Sequence, residues 1–508
     1  MSDPRMADVA DAPRDPPVEA PTSAAVHAAA DAPLEAAQVP LLTGADLVRL
    51  GRALPLPFDV VLTTAEGAVT LRCEVLFRLL PGRRIVARVR RDGQVVLAKL
   101  FVGPRASVER QWEERGHFAF VRAGVATPDI VGGGSLTGSG EALLFEFLDG
   151  ATPATEADLP QTMPILARLH AHGVVQNDLH LGNLLRTARG LFLIDGGAVS
   201  GMGDDKPLSR RASVRNLALF LAQFGIRAEA GFVAAWHAYS VARGYKTIDA
   251  DGAALLEAVH RARRARVRAY VRKVLRDCSE FHAEQGFGYF LVCDRASFKG
   301  GIEALIDDID AQFERGVVIK AGNTATVARV YVDGEALVIK RYNIKSWRHA
   351  LARMWRPTRA QRAWQNAHRL RMLGIPTFRP VALIEHRFGP LRRSAYLVMR
   401  DVGGADLRER FESRHIRAVV ALFADLSRAG LVHGDTKATN FVDVGGVIHL
   451  LDLDAMRAPR TKRALRRRVA RDVERFIANW TDSATIRAAL TRAFAAPQPA
   501  AATPRPSR

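Results

Sequence analysis

The chain has 508 residues, room for two to four domains, and its 48% apolar and 25% charged composition is ordinary for a soluble globular protein. Its formal net charge of +20 favours polyanionic partners such as phospholipid head groups, nucleotides or phosphorylated sugars, although much of the excess is Arg in an Ala- and Arg-rich sequence. Cys73, Cys278 and Cys293 have no paired spacing, which argues against a zinc centre or a disulfide framework and fits a reducing compartment.

Residues 1–45, rich in Ala, Pro and Asp, read as a disordered, mildly acidic tail, and residues 495–508 as a second tail. The N-terminus has no basic region followed by an apolar run, and the longest apolar stretch, around Leu217 to Phe224, is far short of the about 20 residues a membrane span needs. A cytoplasmic protein, or one peripheral on a membrane's cytoplasmic face, is the expectation. From about Phe58 to Leu100 the pattern is β-rich. It leads into a helix carrying Glu109, Glu113 and Glu114, a strand over Ala142 to Leu148, and a helix from Met163 to His170. Residues from about Ser209 to Asp310 read as helical and closing the first unit. The order then recurs, with strand-like alternation over Val317 to Lys340, a helix over Ala360 to Leu373, a strand over Ser394 to Met399 and a helix over Ile416 to Ala429. Val121 to Pro128 matches Arg371 to Thr377 in rhythm. A repeat of roughly 200 residues means two homologous domains rather than a solenoid, expected at 46–312 and 313–494.

Each half carries one short loop written in the same spacing. In the first, Asp178 is followed five positions later by Asn183 and seventeen later by Asp195, which closes the apolar run Leu191 to Ile194. In the second, Asp435 is followed at the same intervals by Asn440 and by Asp452, after Ile448 to Leu451. An Asp, an Asn and a second Asp at a strand end are the base and metal ligands of kinase-like phosphotransferases. On this reading Asp178 and Asp435 orient or deprotonate an acceptor hydroxyl. Asn183 and Asn440 hold Mg²⁺, and Asp195 and Asp452 bridge metal to the phosphates of ATP. Lys99 and Lys340, each in an apolar strand, are the phosphate-binding lysines. Small residues around Gly322, between Lys320 and Arg329, sit where a strand–turn–strand covers the nucleotide phosphates. The first half has only Leu80 to Arg84 there.

Other features carry less. Gly132 to Gly140 lacks the Gly-Lys-Ser/Thr ending of a phosphate loop and reads as a hairpin turn. His170, His172 and His180 lack a further ligand at metal spacing. The basic run Arg261 to Arg276 reads first as a solvated helix face and second as a docking face for anionic membrane; nucleic acid is disfavoured because no stacking aromatics accompany it. Lys462-Arg463 and Arg466 to Arg468 repeat the theme.

Taken together, Lys340 to Asn343, Trp364 to Leu370, Gly374 to Thr377, His433-Gly434-Asp435 and Leu451 to Asp454 resemble the lipopolysaccharide kinase family, the Kdo and heptose kinases of the bacterial inner core. Gln176 to Asn183 resembles a divergent relative. The resemblance covers about residues 58 to 480. It implies an α+β fold of two tandem protein-kinase-like bilobal domains, each a small β-rich lobe plus a larger helical lobe. It also implies ATP with Mg²⁺ and phosphorylation of a core sugar or lipid-linked glycan at the inner membrane. The helix Glu that normally pairs with the strand Lys is matched by Glu113 in the first half but by Ala363 and Trp364 in the second. Leu453 replaces the Gly kept as Gly196. Asn177 stands where the second half has Gly434, and His180 where it has Lys437. One half is therefore open to a binding or scaffolding role, and the second is favoured as the working unit. Two alternatives remain. A protein Ser/Thr kinase would use Lys437 as a phosphate contact, but no Ala-Pro-Glu segment follows either metal-binding Asp. The other is a non-catalytic pseudokinase adaptor.

Overall fold

The computed structural model describes residues 39–201, 206–246, 249–322, 325–342, 357–388 and 391–496. Most of the two expected tails, together with Asn323, Thr324 and Asn343, lies outside the described residues. The inner edge of the first tail is structured, contrary to its composition. Thr43 and Asp46 form a reciprocal capping box at the start of α1 (Gly44–Leu50), and Leu41 bridges to Asp59. The chain is a mixed α+β protein that divides into two compact units.

The first unit comprises residues up to 223 and 231–262. Its β-rich part is a closed barrel of β1 (Phe58–Thr64), β2 (Gly67–Leu80), β3 (Arg84–Arg91), β4 (Gln94–Phe101), β5 (Ile130–Leu136) and β6 (Glu141–Glu146), in the order β1-β2-β3-β4-β6-β5. Alternation along these strands turns Phe58, Val60, Leu62, Leu71, Cys73, Ile85, Ala87, Val89, Ala98 and Leu100 into one fully buried interior. Of the Gly-rich segment expected as a hairpin turn, Gly132, Gly133 and Gly134 instead lie within β5, opposite Leu144, Leu143 and Ala142 of β6, and only Thr137 to Gly140 make the turn. Between β4 and β5 lies α2 (Ala106–Arg122). It buries Glu109, Glu113, Gly116, His117 and Phe120, a three- and four-residue spacing that makes one face. After the barrel come α3 (Leu159–Ala171), the ladder of β7 (Leu184–Thr187) with β8 (Gly190–Leu193), and the helices α4 (Arg210–Leu221) and α5 (Phe232–Ala242).

The second unit comprises 224–230 and the chain from Arg263 onward. The long helix α6 (Asp249–Lys273) carries the chain into it. Its sheet has seven strands: β9 (Phe281–Gln285), β10 (Tyr289–Asp294), β11 (Val317–Lys320), β12 (Ala325–Val332), β13 (Glu335–Tyr342), β14 (Pro380–Phe388) and β15 (Leu391–Arg400). Their spatial order is β9-β10-β14-β15-β13-β12-β11. This differs from the expected division. β10 pairs antiparallel with β14, Leu291 opposite Ile384 and Val292 opposite Leu383, so residues 263–312 belong with the second unit and are not wholly helical. Short helices α7 (Gly301–Asp307) and α8 (Ile309–Arg315) cover the sheet through Leu305, Ile309 and Phe313.

On the other side, α9 (Arg359–Met372) begins at Thr358, whose hydroxyl accepts the Gln361 N–H at 2.9 Å. It packs Ala360, Ala363, Trp364, Ala367 and Leu370 into the main core, and Trp364 is fully buried with its indole N–H donating to the Val274 carbonyl at 2.8 Å. The unit closes with α10 (Ser413–Arg428), the hairpin β16 (Phe441–Val444) with β17 (Val447–Leu450), α11 (Lys462–Ile477) and α12 (Ala484–Ala495).

Candidate active site

In the second unit, backbone hydrogen bonds set the loop before any ligand is considered. The Asn440 amide nitrogen donates to the Asp435 carbonyl at 2.9 Å, and the Leu451 N–H donates to the Asn440 carbonyl at 2.8 Å. Asp435, Asn440 and the strand end before Asp452 are thereby tied together, although they are read from three places in the chain. Asp452 follows β17 in the left-handed region at φ 51, a turn that a short polar side chain tolerates. It aims its carboxylate at Lys340 on β13, with Nζ to Oδ1 at 2.7 Å.

Below the loop, His433 is fully buried. Its Nδ1 accepts the Asp435 N–H at 3.3 Å and its Nε2 donates to the Leu451 carbonyl at 2.9 Å, so the neutral Nε2–H tautomer satisfies both partners. Burial lowers its pKa and keeps it in that form. Asp472 on α11 accepts the His433 N–H at 2.8 Å and the Gly434 N–H at 3.1 Å, while its carbonyl accepts the Thr436 hydroxyl at 2.7 Å. Asn479 accepts the Ala438 N–H at 3.0 Å and donates to the Thr436 carbonyl at 2.9 Å. Asp435 itself is accessible, with Lys437 and Arg475 each 3.8 Å from one of its carboxylate oxygens.

Where the helix Glu is replaced, Ala363 and Trp364 face the core and leave Lys340 to Asp452 among the described residues. The next turn compensates differently. Asn366 donates to the Leu453 carbonyl at 2.9 Å, and Arg359 pairs with Asp454 at 2.7 Å. Burial would raise the Asp452 pKa, but Lys340 and Arg359 outweigh it and hold the carboxylate ionised. Asp454 beside it is pushed up by burial and by Asp452. Gly322 is exposed beyond the end of β11, and the turn after it lies outside the described residues.

The first unit repeats these bonds at the same spacing. Asn183 donates to the Asp178 carbonyl at 2.8 Å, and the Ile194 N–H donates to the Asn183 carbonyl at 2.8 Å. Asp195 takes φ 68. Gln176 stands two residues before Asp178, as His433 stands before Asp435, and likewise ties the first Asp to the strand end, although through the Asp195 carbonyl where His433 uses that of Leu451, one residue earlier. Its carbonyl accepts the Asp178 N–H at 3.1 Å and its amide donates to the Asp195 carbonyl at 2.7 Å. Here the expected helix acid is present. Lys99 on β4 pairs with Glu113 on α2, and Glu113 also accepts the Gly196 N–H at 2.8 Å. Close approach of α2 to this turn depends on two glycines, since a Cβ on Gly116 would lie 2.0 Å from the Gly196 carbonyl oxygen.

Asp195 meets more than Lys99, which is 3.8 Å away. Arg84 at the start of β3 reaches it at 3.5 Å and Arg78 on β2 at 3.8 Å, while Arg84 also pairs with Glu113 at 3.6 Å. Burial pushes Glu113 upward against Lys99. It acts on Asp195 in the same sense, but Arg84, Lys99 and Arg78 overcome it and hold that carboxyl far below its ordinary range. The space enclosed by Lys99, Glu113, His117, Asp195 and Gly196 is only about 20 Å³.

Sequence reasoning did not find Arg78, Arg84, Asp472, Arg475 or Asn479. For Arg84 the chain shows only its place just after Gly82 in the turn expected near the phosphates, with no sign of its partners. Asp472 and Asn479 lie on a basic helix and its extension with no motif around them.

Residues 312–493 match the model of the lipopolysaccharide kinase (Kdo/WaaP) family. A search of the curated proteins finds no match. Among solved structures, "WaaP in complex with acyl carrier protein" is 20% identical, covering 40% of this chain and 88% of that one, with a TM-score of 0.30. Vaccinia related kinase 3 is 16% identical, covering 31% of this chain and 56% of that one, with a TM-score of 0.25. The PknI kinase domain of Mycobacterium tuberculosis is 15% identical, covering 29% and 70%, with a TM-score of 0.22. At such scores the three structures add nothing to the assignment, which the family match carries. The C-terminal part of the chain, residues 312–493, is thus similar to the lipopolysaccharide kinase (Kdo/WaaP) family.

Proposed function

We propose that the second unit transfers the γ-phosphoryl group of ATP to a hydroxyl of a lipopolysaccharide inner-core sugar, Kdo or heptose. The observation that carries this reading is that the family match falls on the unit in which Asp435, Asn440 and the Lys340–Asp452 pair are joined. Asp435, with its N–H and carbonyl both committed to the loop, has only its carboxylate to offer, and it orients the acceptor hydroxyl and takes its proton. Lys340 would hold the phosphates, and Lys437, whose side chain is 64% exposed beside Asp435, would meet the transferred group.

A divalent metal fits the donor set. Asn440 spends its N–H on Asp435 and keeps its amide oxygen, and Asp452 stays ionised, giving two hard oxygen ligands of the kind Mg²⁺ takes along with phosphates and water. When bound it would neutralise phosphate charge.

The first unit, over about 46–262, we read as a kinase-like module that does not turn over. Lys99, Glu113, Asp178, Asn183 and Asp195 form the corresponding set, but Arg78 and Arg84 stand against the carboxylate that a metal would need. This favours a scaffolding or binding role there. The work would take place at the cytoplasmic face of the inner membrane.

The test offers purified chain and labelled ATP two acceptors, dephosphorylated core oligosaccharide and a generic protein. Label on sugar alone is expected. Label on the protein acceptor alone would replace this proposal with a protein kinase, and nucleotide binding without transfer to either would replace it with an adaptor.

A further inference from the structure

Away from both catalytic loops, the first unit has a groove of about 890 Å³ between α4 and the first half of α6. Its walls are Val214, Ala218, Leu219, Ala254, Ala258 and Ala262, and its rim is Arg210, Arg211, Arg215 and Arg261, with no acidic residue lining it among the described residues. Small alanines on α6 face α4 and keep the two helices from filling the space with side chains. Arg210 is braced over the rings of Trp236 and Tyr245, at 5.9 Å and 5.2 Å, which fixes one edge of the rim. Arg211 and Arg215 are exposed. Arg261 pairs at 3.5 Å with Glu257, one turn back, in an ion pair open to solvent. Leu219 is 40% exposed, an apolar side chain left at the mouth.

The geometry points to a site for an anionic membrane lipid, its phosphate on the arginine rim and its acyl portion on the Val/Ala/Leu walls. The cavity is of the size that takes one ligand rather than a flat protein face. Four guanidiniums over an apolar floor complement a molecule with a phosphate at one end and hydrocarbon at the other. The proposal is independent of the phosphotransfer reading and would place the chain on a membrane surface.

Vesicle flotation of the full chain tests it, with phosphatidylglycerol-containing vesicles against pure phosphatidylcholine. The chain should float with the anionic vesicles only. Arg211→Glu/Arg215→Glu should weaken that association by about tenfold or more, at roughly 1 kcal/mol per basic residue near an anionic surface. Leu219→Asp should abolish whatever association survives high salt, because screening removes charge attraction but not apolar burial. Arg466→Glu/Arg467→Glu, a reversal of exposed arginines on α11 outside the groove, should leave binding within about twofold, because charges more than a Debye length from the docked surface are screened. Unchanged thermal melts would show that each variant folds. The proposal is overturned if the outside reversal weakens binding as much as the groove reversal, which would mean diffuse charge. It is equally overturned if soluble glycerol phosphate competes as well as vesicles do, or if the chain ignores anionic vesicles altogether.

Discussion

The two loops share a backbone and differ in what holds their charges. In both, an Asn amide fixes the carbonyl of the first Asp and a strand-end N–H fixes the Asn. Around that common frame the first unit gathers three cations, Lys99, Arg84 and Arg78, against Asp195 and Glu113. In the second unit, among the described residues, Lys340 is the one cation within ion-pair distance of Asp452, and the neighbouring arginine goes to Asp454. Local spacing can therefore preserve a loop while distant side chains decide whether its carboxylate is available. Gln176 and His433 make the same point in miniature, since a primary amide and a neutral imidazole each accept the N–H of the first Asp and donate to a carbonyl at the strand end, that of Asp195 in one unit and of Leu451 in the other.

The comparison can be broken at its foundations first. Trp364→Ala empties the largest fully buried side chain among the described residues of the second unit and should cost about 3–5 kcal/mol, read from denaturant unfolding. Loss of sugar phosphorylation at lower temperature should accompany it. Acid should act on both units. Burial holds His170 down to about 4 and His368 down to about 3, so each stays neutral in the fold while the unfolded chain takes up a proton below about pH 6.5. Stability is thus full above that pH and declines as pH falls toward 4, by on the order of 3 kcal/mol for His170. Denaturation midpoints at pH 7 and pH 4.5 measure it, and a flat profile would contradict the buried, neutral assignment. Gly116→Ala should cost about 1–3 kcal/mol in the first unit, because the new methyl meets the Gly196 carbonyl and must push α2 off its turn. Sugar phosphorylation should be spared. The smallest effect sharpens the Gln–His parallel. His433→Ala should strand two buried partners and lower turnover by roughly tenfold or more, whereas His433→Gln should retain most of it.

The positions of both loops, both lysines and Glu113 were legible in the sequence because these residues lie in short motifs at fixed spacing on strongly patterned strands and helices. What was not legible comes from distant pairings. Arg84 lies over a hundred residues before Asp195, and nothing local marks it as a partner. The strands Phe281–Gln285 and Tyr289–Asp294 are short, follow a long basic helix, and find their neighbour on β14 about ninety residues later, so the boundary expected at 312 fell inside a folded unit. Thr43 was hidden for a simpler reason: one capping box inside an Ala- and Pro-rich composition is enough to start a helix.

Turnover of labelled ATP onto core oligosaccharide by Asp435→Ala and by Asp178→Ala, side by side, bears most directly on the claim that the second unit performs the chemistry. Losing the base should lower the rate about a thousandfold in Asp435→Ala and leave Asp178→Ala near the parent value. The reverse pattern, or equal loss in both, would contradict it.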